Sequence, residues 1–314
     1  MRWTVPVITL LACAVLTGCG SAASLGEPLS PRSSPAQVSR SSRSHVVVIV
    51  LENREFDEVI GSSSMPYLNT LAQQGALATD YHAIAHPSLP NYIALLAGDP
   101  LGIASDCTDC QARGATLPDQ LERAHVGWRA YMEDLPQPCY SGAFSGGYAK
   151  KHDPFMYFGQ IAGNPARCRR VVPLTRLPDD LRAGRLPAFA WITPNLCDDG
   201  HDCDNTSTDN FLGHMVPSLL RGLGPHGVLA VVWDEGTSDS GCCGRAAGGR
   251  VPLILAGPPV RPGYRLTTPA DHYSLLALIE NAFGLSRLGA ASCPCTPPLN
   301  AAFKSGALPR LNGR

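Results

Sequence analysis

Two kinds of apolar pattern alternate along this chain. Short, wholly apolar runs stand at His45 to Leu51, Phe189 to Thr193, Gly227 to Trp233 and Val251 to Leu255. Runs of this length without a polar face mark strands buried on both sides, as in a parallel sheet. Between them lie segments with helical spacing. Ser64 to Gly75 has Ser64 as a cap, Pro66 near the first turn, Leu68 and Leu71 facing inward and Gly75 as a stop. Ser88 to Leu96 carries Pro90 in its first turn and Gly98 just past its end. Thr116 to Ala124 is a third helix. In Asp209 to Leu220 the apolar residues Phe211, Leu212, Met215, Val216, Leu219 and Leu220 share a face, and Pro217 is expected to kink it. Tyr273 to Phe283 turns Leu275, Leu276, Ile279 and Phe283 inward, with Gly284 ending it. Strands alternating with helices predict an α/β fold with a central, mainly parallel sheet flanked by helices. Residues 99–188 are less periodic. They hold Cys107, Cys110, Cys139 and Cys168 and read as a disulfide-containing insertion over the sheet edge, within one domain.

The N-terminus obeys another logic. Arg2 is followed by an apolar stretch from Val5 to Leu16, too short to span a bilayer comfortably. It ends in Leu16-Thr17-Gly18-Cys19, a secretory signal that resembles those of bacterial lipoproteins. That resemblance implies cleavage before Cys19 and lipidation of its thiol. Residues 1–18 are then signal, 19–44 a lipidated Cys with a tether rich in Ser, Pro and Ala, and 45–314 one domain. The expected location is extracytoplasmic, with a lipid anchor holding the protein to the cell envelope. Cysteine usage agrees. Of twelve Cys, Cys13 leaves with the signal and Cys19 is lipidated, so ten remain for up to five disulfides. Pairing of 107 with 110, 139 with 168 and 197 with 203 is the local solution, but spacing does not fix connectivity. A zinc site from Cys107, Cys110, Cys293 and Cys295 is the rival reading.

Composition narrows the class. At 44% hydrophobic and 16% charged, disorder over the whole length is excluded. A net charge of −1 with scattered basic residues offers no electrostatic footprint for nucleic acid. No Gly-x-Ser-x-Gly elbow and no Gly-Lys-Ser/Thr phosphate loop occurs, which disfavours serine esterases and nucleotide-triphosphate enzymes.

Ligands of open α/β sheets bind beyond the carboxyl ends of the strands. The residues just past each apolar run are therefore informative: Glu52-Asn53 after the first, Asp198-Asp199-Gly200-His201 beyond the Phe189 strand, Asp234-Glu235 after the Gly227 strand, and Asp271-His272 beyond the Val251 strand and its loop. Any one of these is an ordinary solvated loop. Together they form a set of hard ligands whose charge a cation would compensate. Zinc, manganese, magnesium and calcium all suit a carboxylate/His mixture. Ser88, in His86-Pro87-Ser88-Leu89-Pro90-Asn91-Tyr92, starts a predicted helix. Taken locally it is a helix cap. Beside a metal, its hydroxyl is a nucleophile for phosphorus, and Asn91 one turn on would donate to a phosphoryl oxygen.

The run Val48 to Asp57, the segment His86 to Gly98, the segment Pro194 to Cys203 and Trp233-Asp234-Glu235 resemble the bacterial phosphoesterase family. That family holds acid phosphatases and phospholipase C-type enzymes within the alkaline-phosphatase superfamily. The resemblance runs over about residues 45–285. It implies an alkaline-phosphatase-like fold and a metal-dependent hydrolase acting on phosphate esters. By position it implies Ser88 as nucleophile with Glu52, Asn53, Asp234 and Glu235 on the metal. Asp199, His201 and His272 fall where two-metal relatives hold a second ion, so one or two divalent metals are expected. His152 fits a position that protonates the leaving group, and Arg250 is a candidate phosphate clamp. Sulfatases need Arg where Tyr92 stands, which disfavours that chemistry. The short segment after Leu285 favours small phosphomonoesters over the phospholipid substrates of phospholipase C-type members. A non-catalytic lipoprotein binding metal or a partner on the same fold is the alternative of another class.

Overall fold

The computed structural model describes residues 44–306 and 310–311. The expected signal, Cys19 and the tether lie outside them. The apolar runs become the centre of an eight-stranded sheet, built from β1 (Val46–Leu51), β2 (Ala76–Ala78), β3 (Trp128–Met132), β4 (Val171–Pro173), β5 (Phe189–Thr193), β6 (Val228–Trp233), β7 (Leu253–Ala256) and β8 (Tyr264–Leu266). Their spatial order is β8-β2-β7-β6-β1-β5-β3-β4. β1 lies between β5 and β6 and is parallel to both, with Val46 opposite Phe189 on one side and Val228 on the other. All three are buried at every position, which is why they show no alternation. β7 runs antiparallel to its two neighbours, β6 and β2. The chain therefore leaves the carboxyl edge of the sheet along β7 and returns along β8, which is parallel to β2. That return delivers Asp271 and His272 to the edge.

Residues 99–188 do lie at the sheet edge, but as part of it. β3 pairs with β5, and β4 pairs with β3, both in parallel. The expected insertion is the completion of the sheet itself, carried by a strand whose partly polar burial pattern hides it from a search for apolar runs. Among the described residues five disulfides close: Cys107–Cys110, Cys139–Cys168, Cys197–Cys203, Cys242–Cys243 and Cys293–Cys295. The first three are the local pairs read from sequence. In this pairing none of the cysteines of the zinc alternative remains a thiolate.

The main helices are α1 (Pro66–Gln74), α2 (Ser88–Ala97), α3 (Leu117–Arg123), α4 (Asn205–Gly222) and α5 (His272–Phe283). Ser64 does not cap α1, since its hydroxyl pairs with that of Ser62. Asp209 from α4 does so in trans, accepting from the amides of Tyr67 at 3.0 Å and Leu68 at 2.8 Å. α4 begins a turn earlier than its apolar stripe, because the Asp204 side chain accepts from the Ser207 amide, and it runs through Pro217 without ending. α2 is buried along its whole length and packs against α5. Among the described residues no helix is long and apolar enough to cross a membrane.

α5 carries a buried carboxyl with a testable consequence. Glu280 accepts from the Leu288 amide at 2.8 Å, while its Oε2 has no partner. Burial pushes its pKa to about 8, from an ordinary 4.5. A raised carboxyl pKa stabilises the protonated native state. This contribution is complete below about pH 4.5 and is lost as pH rises through about 8. Glu280→Gln keeps the acceptor for Leu288 and cannot ionise. Melting curves should show wild type losing several degrees more than E280Q between pH 5 and pH 9. Parallel loss in both would show that Glu280 does not govern this window.

Candidate active site

The backbone alone brings three strand ends together. The Glu52 amide donates to the Asp199 carbonyl at 2.9 Å, and the Asp234 amide donates to the Leu51 carbonyl at 2.8 Å. The loops after β1, β5 and β6 are thus joined before any side chain is placed. Asn53 takes a left-handed φ of 53°, uncommon for a residue with a side chain, and its amide donates to Asp234 Oδ1 at 3.2 Å.

Ser88 is the first residue of α2, and the residue before it, Pro87, has no polar side chain to cap that helix. The Ser88 hydroxyl lies 2.9 Å from Glu52 Oε2 and 3.1 Å from Glu235 Oε1. It has one proton for two carboxylates, so one of the two contacts lacks a hydrogen. Glu52 also accepts from the Tyr92 hydroxyl, one turn along α2, and the Tyr92 ring stacks on His152 at 5.5 Å. His152 holds Asp199 Oδ2 with Nδ1 at 3.0 Å. Its Nε2 is 3.3 Å from Glu52 Oε2, without the alignment of a hydrogen bond. Glu235 takes a second partner in His86 Nδ1, whose other nitrogen meets the Ser238 carbonyl at 3.0 Å.

Four carboxylates, Glu52, Asp199, Asp234 and Glu235, are therefore buried around one hydroxyl. Burial, reinforced by neighbouring carboxylates, pushes Glu52 and Asp234 well above the usual range, raises Asp199 to about 7 and raises Glu235. No donor is aligned on Asp234 Oδ2, and the Asp234 carboxyl crowds those of Glu52 and Glu235. Nearby charge balances the four only in part, through Lys151 beside Glu52 and Asp199 and His86 beside Glu235. His152 is wholly buried, and desolvation pushes it well below its ordinary value, so it is neutral. Its Nδ1 meets Asp199 Oδ2, and its Nε2 faces Glu52 Oε2 without a hydrogen bond. Ligand atoms of Glu52, His152 and Asp199 all lie within 4.8 Å of one another. An orphaned carboxylate oxygen, a bare imidazole nitrogen and surplus negative charge fit a divalent cation.

The structure places the remaining sequence candidates differently. His152, the expected leaving-group acid, lies within the cluster, with Nδ1 on Asp199 and Nε2 toward Glu52. Asn91 spends its whole amide on the loop before α2: Oδ1 accepts from Ile84 and Ala85, and Nδ2 donates to the carbonyls of Ala85 and Pro87. It braces the loop that leads into Ser88. His272 is engaged at both nitrogens, Nε2 donating to the Asp234 carbonyl at 2.6 Å and Nδ1 accepting from the Tyr81 hydroxyl at 3.0 Å. No lone pair remains for a metal, so the set Asp199, His201 and His272 is not assembled. His201 does stay close, its amide donating to Asp199 Oδ1 at 2.8 Å. Arg250 turns away, paired with Asp57 and lying over the Phe56 ring. Sequence reading passed over Tyr92, His86, Asp106 and Lys151. Tyr92 was legible as the residue one turn beyond Ser88. Asp106 lies in an irregular loop where no spacing points to it.

The Phosphoesterase family model matches residues 62–286. A phosphatidylinositol-3-phosphatase of Mycobacterium tuberculosis is 32% identical over 252 residues, covering 79% of each chain. A phosphate-repressible acid phosphatase of Penicillium chrysogenum is 31% identical over 258 residues, covering 79% of this chain and 60% of its own. This chain thus spans about three fifths of that fungal relative. A protein of the alkaline phosphatase superfamily from Vibrio parahaemolyticus shares the fold, with a TM-score of 0.56 at 12% identity, over 80% of this chain and 70% of that one.

Proposed function

This chain belongs to the phosphoesterase family, and we propose that it is an acid phosphatase-like, metal-dependent hydrolase of phosphate esters with Ser88 as its nucleophile. The observation that carries the reading is the Ser88 hydroxyl held between two buried carboxylates, in a cluster of four carboxyl groups that Lys151 and His86 offset only in part. Glu52, Asp234 and Glu235 would hold a divalent metal, with Asp199 and His152 able to join them. When bound, that ion supplies charge neutralisation and a lowered pKa for the hydroxyl beside it.

The rest of the chemistry belongs to the chain. Ser88 loses its proton to Glu52 or Glu235, both within hydrogen-bond distance. Its oxygen then attacks phosphorus in line with the ester oxygen, which leaves and takes up a proton from solvent. The phosphate now esterified to Ser88 is released when water attacks from the vacated side, and the serine hydroxyl is restored. Asn91 and Tyr92 hold the start of α2 and Glu52 in register throughout. The apolar N-terminal stretch ending in Cys19 and the disulfides support export and lipid anchoring as part of the same proposal.

The test is hydrolysis of p-nitrophenyl phosphate, its bis ester and its phosphocholine ester across pH 5 to 9. The expected result is preference for the monoester, loss of turnover with EDTA, and recovery with added zinc, manganese or calcium. Preference for the phosphocholine ester would move the substrate to phospholipase C-type diesters. No turnover on any ester with added metal would sink the hydrolase reading and favour a binding lipoprotein.

A further inference from the structure

We infer that Lys151 makes this site prefer phosphomonoesters to phosphodiesters, by binding a non-bridging oxygen of a dianionic phosphoryl group on Ser88's side of the cluster. The inference rests on Ser88 as the nucleophile. Lys151 belongs to the single turn Lys150–His152, next in sequence to His152. Its side chain is 14% exposed. Nζ donates to Asp106 Oδ2 at 2.9 Å and to His201 Nε2 at 3.0 Å.

Both partners tie the ammonium to the catalytic cluster. Asp106 Oδ1 accepts from the amide of Leu89 at 2.9 Å, and Leu89 directly follows Ser88. One carboxylate therefore spans the lysine and the first turn of the nucleophile's helix. His201 is fixed by its own amide on Asp199 and by Nδ1 on Asp202 Oδ1 at 2.6 Å. With Nδ1–H donating there, Nε2 is the acceptor that Lys151 meets. Glu52 and Asp234 stand close enough for their charges to act on the ammonium. An ammonium has three N–H donors, and these two bonds use two of them. The third meets no acceptor among the described residues and is free for a ligand.

The chemistry of the two ester classes makes that third donor selective. A monoester above neutral pH carries two negative charges over three non-bridging oxygens, and a diester carries one over two. A divalent ion held by the carboxylates would neutralise part of the phosphoryl charge. A monoester still presents a charged oxygen elsewhere, and a point-charge donor suits it. In a diester the same place is taken by an ester oxygen with its substituent, which has no charge to pair and a group to accommodate. A lysine that merely held Asp106 and His201 in place would matter equally for both classes.

The experiment compares Lys151→Gln, Lys151→Met and Lys151→Arg with wild type. It measures kcat/KM on p-nitrophenyl phosphate and on its bis ester, and calorimetric affinity for inorganic phosphate and for dimethyl phosphate at pH 8. Loss of the charged donor should cost roughly 100-fold on the monoester and less than about fivefold on the diester. Phosphate affinity should fall by at least about tenfold while dimethyl phosphate is unaffected, and K151R should recover most of the monoester rate. Melting temperatures of the two neutral variants check that the fold is retained, and K151M keeps the packing of the stem if K151Q does not. Equal loss on both esters, or unchanged phosphate affinity, would overturn the inference. If wild type turned over neither ester, the nucleophile reading would fail, while the phosphate titrations would still decide whether Lys151 binds the dianion.

Discussion

Ser88→Ala lowers kcat/KM for p-nitrophenyl phosphate by at least about 10⁴-fold, with the fold and the response to metal retained. The magnitude comes from the geometry. Ser88 is the hydroxyl that the structure places between Glu52 and Glu235, and an alanine methyl there has neither lone pair nor proton. The four carboxylates stay where they are, so a divalent ion should still raise the melting temperature of S88A as much as that of wild type. Acid quenching during turnover should leave phosphate on the peptide containing residue 88 in wild type and none in the variant. Residual activity above about a tenth of wild type would remove Ser88 from the chemistry.

Asp234→Asn should move two measurements in opposite directions. Asp234 is wholly buried, its Oδ1 accepts from the Asn53 amide, and its Oδ2 faces the cluster with no donor aligned on it. An asparagine keeps the acceptor and offers a donor toward the neighbouring carboxylates. It also removes one of four crowded negative charges. The metal-free protein should gain about 1–3 kcal/mol, the cost of an unsatisfied buried polar group, or a few degrees in Tm. Metal-induced stabilisation should shrink to near zero, and activity should fall by at least about 10²-fold. Melting curves in EDTA and in millimolar zinc, manganese and calcium measure both. A D234N protein that keeps the full metal response would take Asp234 out of the ligand set.

The parts of this molecule legible in its sequence are those governed by short-range rules. Val46–Leu51, Phe189–Thr193 and Val228–Trp233 announce themselves because strands buried on both faces need no polar residue. Glu52, Asp199 and Asp234 emerged from asking which residues stand at the ends of such strands. The direction of β7 was not legible, since a four-residue apolar run reads the same either way. β3 and β4 escaped notice because Arg129 interrupts the apolar run of β3 and β4 is only three residues long. At the site, residue type alone overstated three roles. Asn91, His272 and Arg250 are the right chemistry for phosphate or metal, but loop carbonyls, Tyr81 and Asp57 had already claimed their polar atoms. Such claims come from residues distant in sequence. Conversely Asp106 gains its place only through the Leu89 amide and Lys151.

Because every residue of α2 is buried, its hydrogen-bonded amides have no local route to solvent. They should exchange with deuterium only when the whole domain opens, alongside those of β1 and β6, and not with the faster set expected of surface loops. The proposed nucleophile, Ser88, therefore sits on one of the least mobile segments of the fold, whereas catalytic groups are more often carried on loops. A molecule built this way has little scope to switch itself off by melting the element that bears its reactive atom. Control over its turnover would have to act on occupancy of the carboxylate cluster, or on access to it.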